Sequence, residues 1–185
     1  STDLIHRKNS DEKLEPYFKT INENIFRISH QVNDVLDYLR KNPIKKELIN
    51  IKVLIDSVLD NMQIPANISI DASKCSFNAN VDKIKMESVL SNLILNAIQA
   101  IEGNGKITVS MEEKDSQHHI TIEDSGKGID SKIIKKIFEP MFSTKMEGTG
   151  LGLASVKTII EAHGGTISVT SPPTIFTITI PKTLD

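Results

Sequence analysis

The stretch that most constrains this chain runs from Phe138 to Leu153. It reads Phe-Glu-Pro-Met-Phe-Ser-Thr-Lys, two further residues, then Gly-Thr-Gly-Leu-Gly-Leu. A paired-phenylalanine turn leads to a lysine, and alternating glycines then open an apolar helix. Backbone N–H groups at such a helix start are uncovered, and the helix dipole adds positive potential there, so Gly148-Thr149-Gly150-Leu151-Gly152 suits an anion. The run is not a P-loop, because no Gly-Lys-Ser/Thr follows. Nor is it a dinucleotide fingerprint, whose glycine spacing and βαβ setting are both absent. Lys145, three residues before Gly148, lies on a segment that reads as a mobile lid. It either reaches a terminal phosphate or is a solvated lid lysine.

Two upstream stretches supply complementary chemistry. Asn92 and Asn96 are four apart on a helix predicted from about Asp82 to Ile101, and Gln99 continues the same side at the next turn. Met86, Val89, Leu90, Leu93, Ala97 and Ile101 form the apolar face, and the amide stripe is expected opposite it. That stripe is either a solvated polar face or a ligand set. An amide oxygen can coordinate Mg²⁺ without adding negative charge beside a triphosphate, and such sites mix one or two protein oxygens with phosphates and water. Asp124 closes the alternating strand Ile120-Thr121-Ile122, with Gly126 and Gly128 at two-residue steps after it. A carboxylate there can accept a hydrogen bond from an adenine amine, and glycines let the backbone close around the base. An ordinary glycine turn is the alternative. Taken together, the three stretches describe a nucleotide site.

The rest of the chain divides at Pro43. In residues 1–42, Leu14, Phe18, Ile21, Ile25, Ile28, Val32, Val35 and Leu39 alternate steps of four and three, a heptad seam on one long helix with polar flanks. So narrow a stripe wants another helix, and a dimerising bundle is the natural reading; a surface helix packed on its own domain is the alternative. Asn42-Pro43 stops the helix, since the residue before proline is pushed out of helical space. Residues 43–185 read as an α+β domain. Strands are predicted near Leu48–Ile51, Asn67–Asp71 and Ser76–Asn80, with a helix over Val53–Asn61. A hairpin (Lys106–Met111, His118–Glu123) follows the long helix, which Gly103-Asn104-Gly105 ends. A helix (Lys132–Ile137), the lid, a helix (Leu151–His163) and two strands (Thr166–Thr170, Thr174–Ile180) complete it. This order predicts a two-layer α/β sandwich, a mixed, mostly antiparallel sheet covered by helices on one face.

Composition narrows the partners. A chain of 185 residues with 38% hydrophobic and 25% charged residues is ordinary for a folded protein. A net charge of -2 and 4% aromatics without tryptophan argue against nucleic acid. The lone Cys75 fits a reducing compartment, which points to the cytoplasm. No apolar run approaches the ~20 residues that span a bilayer, so no membrane contact is expected from this sequence. The chain begins at Ser1 with helix-like sequence almost at once and is expected to be an excised piece of something longer.

In this order the stretches resemble the asparagine box, first glycine box, phenylalanine box and second glycine box of the ATPase superfamily that includes gyrase, the heat-shock chaperone, histidine kinases and MutL. The resemblance spans about Asp82 to Pro181 and is nearest to sensor histidine kinases of the nitrogen-regulator type. It implies ATP and Mg²⁺ as ligands. It assigns Asn92 and Asn96 to metal and phosphate, with Asn96 the metal ligand, and Asp124, Gly126 and Gly128 to the adenine side. Lys145, Gly148, Thr149, Gly150, Leu151 and Gly152 fall to the lid and phosphates. Hydrolytic branches carry a glutamate base four residues before the metal-binding asparagine, where this chain has Asn92, and an amide cannot take a proton from water. Phosphoryl transfer needs mainly positioning and charge neutralisation, so a kinase is expected.

The front end resembles the second helix of the kinase dimerisation domain. That implies a homodimer through the stalk, transfer to a histidine and relay to the receiver domain of a response regulator. Acceptor histidines of this class are followed by an acid and, five residues on, a proline. Neither His6 nor His30 has that pattern, so the acceptor is expected to lie outside this sequence, with His30 as the alternative. A serine or protein kinase of the same superfamily, and a degenerate nucleotide-binding dimerisation module, are the rival readings. Pro172-Pro173-Thr174 departs from the glycine-threonine that usually opens the last strand and puts an adenine contact from Thr174 in doubt. His118, His119 and His163 have no acid or cysteine at ligand spacing and read as structural.

Overall fold

The computed structural model describes residues 14, 17–18, 20–21, 24–25, 28–29, 32, 43–72, 76–145 and 148–182. It has two compact units, Ser1–Lys41 and Asn42–Asp185. In the first, described residues from Tyr17 to Val32 are helical. Ile21, Ile25, Ile28 and Val32 of the predicted seam are 45%, 50%, 59% and 51% exposed, so this apolar stripe is uncovered in the single chain. Val35 and Leu39 of the seam, and both His6 and His30, lie outside the described residues.

In the second unit, polar side chains decide where strands give way to helices. Strand β1 (Glu47–Asn50) ends at Asn50, whose side chain accepts the Val53 N–H at 3.1 Å and caps helix α1 (Ile51–Asp60). The helix therefore starts two residues before the expected Val53. Strands β2 (Ile68–Ala72) and β3 (Asn78–Val81) follow. Asp82 then caps α2 (Lys83–Ala100) through the Lys85 N–H at 3.1 Å. Strands β4 (Gly105–Lys114) and β5 (Gln117–Asp124) are longer than predicted. Only Asp115 and Ser116 join them, with φ of 52° and 60°, and paired left-handed residues make the turn whose twist suits a hairpin. Helix α3 (Gly152–Ala162) and strands β6 (Thr166–Thr170) and β7 (Thr174–Pro181) complete the unit.

The main sheet has the order β2-β4-β5-β7-β6, with β2 parallel to β4 and the other pairings antiparallel. This is the predicted mixed, mostly antiparallel sheet of an α+β fold. Strands β1 and β3 instead form a separate antiparallel pair, from Glu47 opposite Val81 to Asn50 opposite Asn78. The pleat sends alternate residues to the helix side: Ile107, Val109 and Met111 of β4, Ile120 and Ile122 of β5, and Phe176, Ile178 and Ile180 of β7 are buried. Met86, Val89, Leu90, Leu93 and Ile94 of α2 meet them. Each such side chain contributes about 1.5–3 kcal/mol by leaving water.

One expected element is different. Lys132–Ile137 forms successive turns rather than a helix. The Ile133 and Ile134 N–H groups share the Asp130 carbonyl, and Lys136 turns back to Ile133. Pro140 leaves too few residues to repay helix nucleation. Among the described residues no helix is long and apolar enough to cross a membrane.

Candidate functional site

Asp124 ends β5 between β4 and β7, and the pleat turns its side chain inward, leaving it 2% exposed. Its Oδ1 accepts the Gly126 N–H at 2.9 Å. Burial pushes its pKa up; that hydrogen bond offsets this in part, and the neighbouring Glu123 charge adds to the rise. A Cβ on Gly126 would lie 2.6 Å from the Ala100 carbonyl oxygen and 2.7 Å from Asp124 Oδ1. The turn is thus pressed onto the carboxyl end of α2, at a spacing only glycine permits. Gly128 adopts φ +81°, and Ser171 Oγ accepts the Ile129 N–H at 2.7 Å, which ties the turn to the connection between β6 and β7. At the start of β7 Thr174, 3% exposed, stands in register with Asp124 despite the two prolines before it.

The carboxyl-terminal half of the same helix carries the amides. Asn92 is 5% exposed, and its Nδ2 donates to the Ser88 carbonyl at 3.2 Å. It is therefore not on a solvated face opposite the core, as the helical spacing suggested. The stripe grades outward, from buried Asn92 through half-buried Asn96 to exposed Gln99. Lys145 crosses to this stripe: its Nζ donates to Asn96 Oδ1 at 3.2 Å and also to Gln99 Oε1. The residue as a whole is exposed, yet its ammonium end is drawn against α2, and that desolvation lowers its pKa.

Glycines shape the lid between. A Cβ on Gly148 would lie 2.5 Å from Ser143 Oγ. Gly150, at φ +68°, would press one to 2.5 Å from the Met141 carbonyl carbon, and the Met141 N–H donates to the Gly150 carbonyl at 3.0 Å. Thr149 Oγ1 accepts the Leu151 N–H at 3.3 Å. Leu151 opens α3, which Gly152 begins, with no side chain capping its first turn, so backbone donors remain there for an anion. Phe138 anchors the segment edge-on against Phe176, with ring centroids 6.3 Å apart.

The residues suit a magnesium–nucleotide, judged by their donors. Asn96 offers a neutral oxygen that already accepts from a cation, and the helix start and Lys145 supply positive charge for phosphates. Among the described residues no group of three or more His, Cys, Asp and Glu could hold a metal. A metal here would thus take most of its oxygens from phosphates and water. His163 is structural: its Nδ1 is 2.8 Å from the Ile159 carbonyl and its Nε2 accepts the Asp82 N–H at 3.0 Å.

Residues 81–184 match the family described as histidine kinase-, DNA gyrase B- and HSP90-like ATPase. The chain belongs to this family. A curated relative, the signal transduction histidine-protein kinase AtoS of Escherichia coli (strain K12), is 34% identical over 96% of this chain and 31% of its own length. Sporulation kinase A of Bacillus subtilis (strain 168) is 34% identical over 92% of this chain and 30% of its own. The chain spans about a third of the length of the curated relatives it matches. Among solved structures, the nucleotide-free catalytic domain of histidine kinase ThkA is 33% identical and superposes with a TM-score of 0.67, over 75% of this chain and 96% of that one.

Within the family's frame, the structure brings Asn96 to Lys145, and Asp124 to Gly126 and Thr174. It leaves the Asn92 amide turned back on its own helix. Sequence reasoning did not count Gln99 or Ser171 among the site residues. Gln99 was legible as the continuation of the amide stripe, three residues after Asn96. Ser171 had no local signal, since its contact with Ile129 joins two turns 42 residues apart in sequence.

Proposed function

We propose that residues 43–185 bind Mg·ATP and transfer its terminal phosphoryl group to a histidine, as the catalytic part of a sensor histidine kinase. The observation that carries the proposal is Asp124. Its carboxylate is kept nearly dry at the end of a central strand beside a like charge, and a buried acceptor of that kind is worth its cost in stability only when a donor such as an adenine amine meets it. Gly126, Gly128 and Thr174 shape the wall around the base. At the other end Gly148, Thr149, Gly150, Leu151 and Gly152 turn backbone donors to the phosphates, and Lys145 reaches the terminal one. Mg²⁺, when bound at Asn96, neutralises charge on the phosphates. Asn92 stands where a hydrolytic relative has its base, and its amide, bonded to the Ser88 carbonyl, has no capacity to take a proton from water. The site therefore orients and neutralises without activating water, which favours transfer over hydrolysis.

The exposed stripe of Ile21, Ile25, Ile28 and Val32 supports a homodimer through residues 1–42. A response-regulator receiver domain as partner is supported by ThkA, which was solved in complex with the response regulator TrrA; that chain is 28% identical over 95% of this one, with a TM-score of 0.72. Cytoplasmic residence is proposed on the same grounds, since ATP and the receiver are found there.

The test is to incubate the chain with terminal-phosphate-labelled ATP and Mg²⁺, alone and with a supplied acceptor helix, beside a His30→Ala variant. Acid-labile label on the supplied helix is expected. Acid-stable label would favour a hydroxyl-directed kinase, and ATP binding without any transfer would favour a degenerate binding module. Label on the chain itself that vanishes with His30 would make His30 the acceptor.

A further inference from the structure

A cation already sits where the proposed site needs one. Lys145 Nζ donates to both Asn96 Oδ1, at 3.2 Å, and Gln99 Oε1. The two amides are three residues apart on α2, so their side chains stand one above the other on one helix face. Around Lys145 the turn is closed locally: its N–H donates to Ser143 Oγ at 3.0 Å, Ser143 Oγ donates to its carbonyl at 3.1 Å, and the Gly148 N–H reaches that carbonyl at 3.2 Å. These bonds shape the turn without tying it to α2. The lysine side chain makes that tie.

The geometry points to Gln99 as a positioning residue of the lid: without nucleotide its amide oxygen parks the Lys145 ammonium on Asn96, and the metal–nucleotide claims the Asn96 oxygen as the lysine leaves. The inference rests on the nucleotide-site reading above. A divalent cation bonded to Asn96 Oδ1 would lie within a few ångströms of the parked ammonium, and like charges that close repel, so the two occupants are alternatives.

Gln99→Met keeps the length and helix propensity of the side chain and removes its acceptor. A non-hydrolysable Mg·ATP analogue would be titrated calorimetrically into the parent chain, Gln99→Met, Lys145→Met and the double variant. Hydrogen exchange at Ser143, Thr144 and Gly148 would be followed without nucleotide. Gln99→Met is expected to tighten binding about two- to fivefold, because a contact that binding must break is already gone. It should also speed exchange in the lid and have no effect on affinity in the Lys145→Met background. Equal effects of Gln99→Met in both backgrounds, weaker binding in both, or unchanged lid exchange would each overturn the parking role while leaving the nucleotide site standing. A parent chain that binds no Mg·nucleotide would overturn both.

Discussion

Asp124 and Lys145 carry the charges at the two ends of the site, and their surroundings are opposites. Asp124 closes a strand that is paired on both sides, is 2% exposed, and faces a turn whose glycine touches the end of α2. Lys145 stands on a run of turns, is exposed, and reaches α2 only by its side chain. Burial raises the pKa of the first and lowers that of the second, so each is less favourably charged than in water. The Asp124 end, the base end of the proposed site, is built into the sheet and is coupled to global stability. The phosphate end can open locally at little cost, because few buried contacts hold it. On the nucleotide reading proposed above, a site divided in this way would recognise the base with its rigid half and adapt to the phosphates with the other.

The comparison is tested most severely by Gly126→Ala. The new methyl would meet the Ala100 carbonyl oxygen and Asp124 Oδ1, neither of which can retreat. We expect about 1–3 kcal/mol of destabilisation, seen as a fall of several degrees in the thermal midpoint, together with loss of nucleotide binding. An unchanged midpoint would mean that the base end is not the rigid half. Asp124→Asn should come next. Asparagine Oδ1 can still accept the Gly126 N–H, so the fold should hold, but the charged acceptor is gone. ATP affinity is expected to fall about 10- to 100-fold, with GTP affinity unaffected. Titration with both nucleotides checks this, and an undiminished preference for ATP would remove Asp124 from the base site.

The same division explains what was legible in the sequence. Period and turn chemistry marked β4, β5, α2 and α3, because each carries its own apolar alternation or helical face. The order of Asn96, Asp124 and the glycine run marked the candidate site. The burial of Asn92 escaped helical counting, which sees one helix and not the parts of the fold that cover it. The turns at Lys132–Ile137 carry apolar residues at helical spacing, but Pro140 leaves too little length to form a helix. The parking of Lys145 on Gln99 joins residues 46 apart, and no local pattern announces such a contact. Pro172 and Pro173 do not displace Thr174, because strand pairing with β5 sets its register opposite Asp124 regardless of what precedes it.

Gly150→Ala sharpens the contrast from the lid side. At φ +68°, with a Cβ only 2.5 Å from the Met141 carbonyl carbon, alanine strains the turn as severely as at Gly126. The lid, however, can shift without unfolding the domain. Mg·ATP affinity should drop about 3- to 10-fold, roughly 0.7–1.4 kcal/mol, while the thermal midpoint without nucleotide stays near the parent value. A midpoint loss equal to that of Gly126→Ala would show that the lid is as integral as the sheet.

The smallest expected effect is a pH dependence confined to the base end. Asp124 has a folded pKa raised above 3.8, so the native state takes up this proton more readily than the unfolded chain. Its contribution to stability therefore improves as pH falls through the folded pKa towards 3.8. Adenine binding goes the other way, because the same proton weakens the acceptor that the amine needs. Total stability also contains His163, whose folded pKa burial lowers beneath 6.5; its contribution is full above 6.5 and is lost progressively as pH falls from there towards the folded value. Phosphate groups of the nucleotide titrate in the acid range too. The ratio of ATP affinities between the parent and Asp124→Asn cancels both of those terms. It should shrink as pH falls through the raised folded pKa of Asp124, by less than the full effect of the substitution, because the substitution removes the charge at every pH. A ratio that stays flat until pH 3.8 would mean that Asp124 is hydrated like a surface carboxylate when nucleotide binds, and the base end would then be as adaptable as the lid.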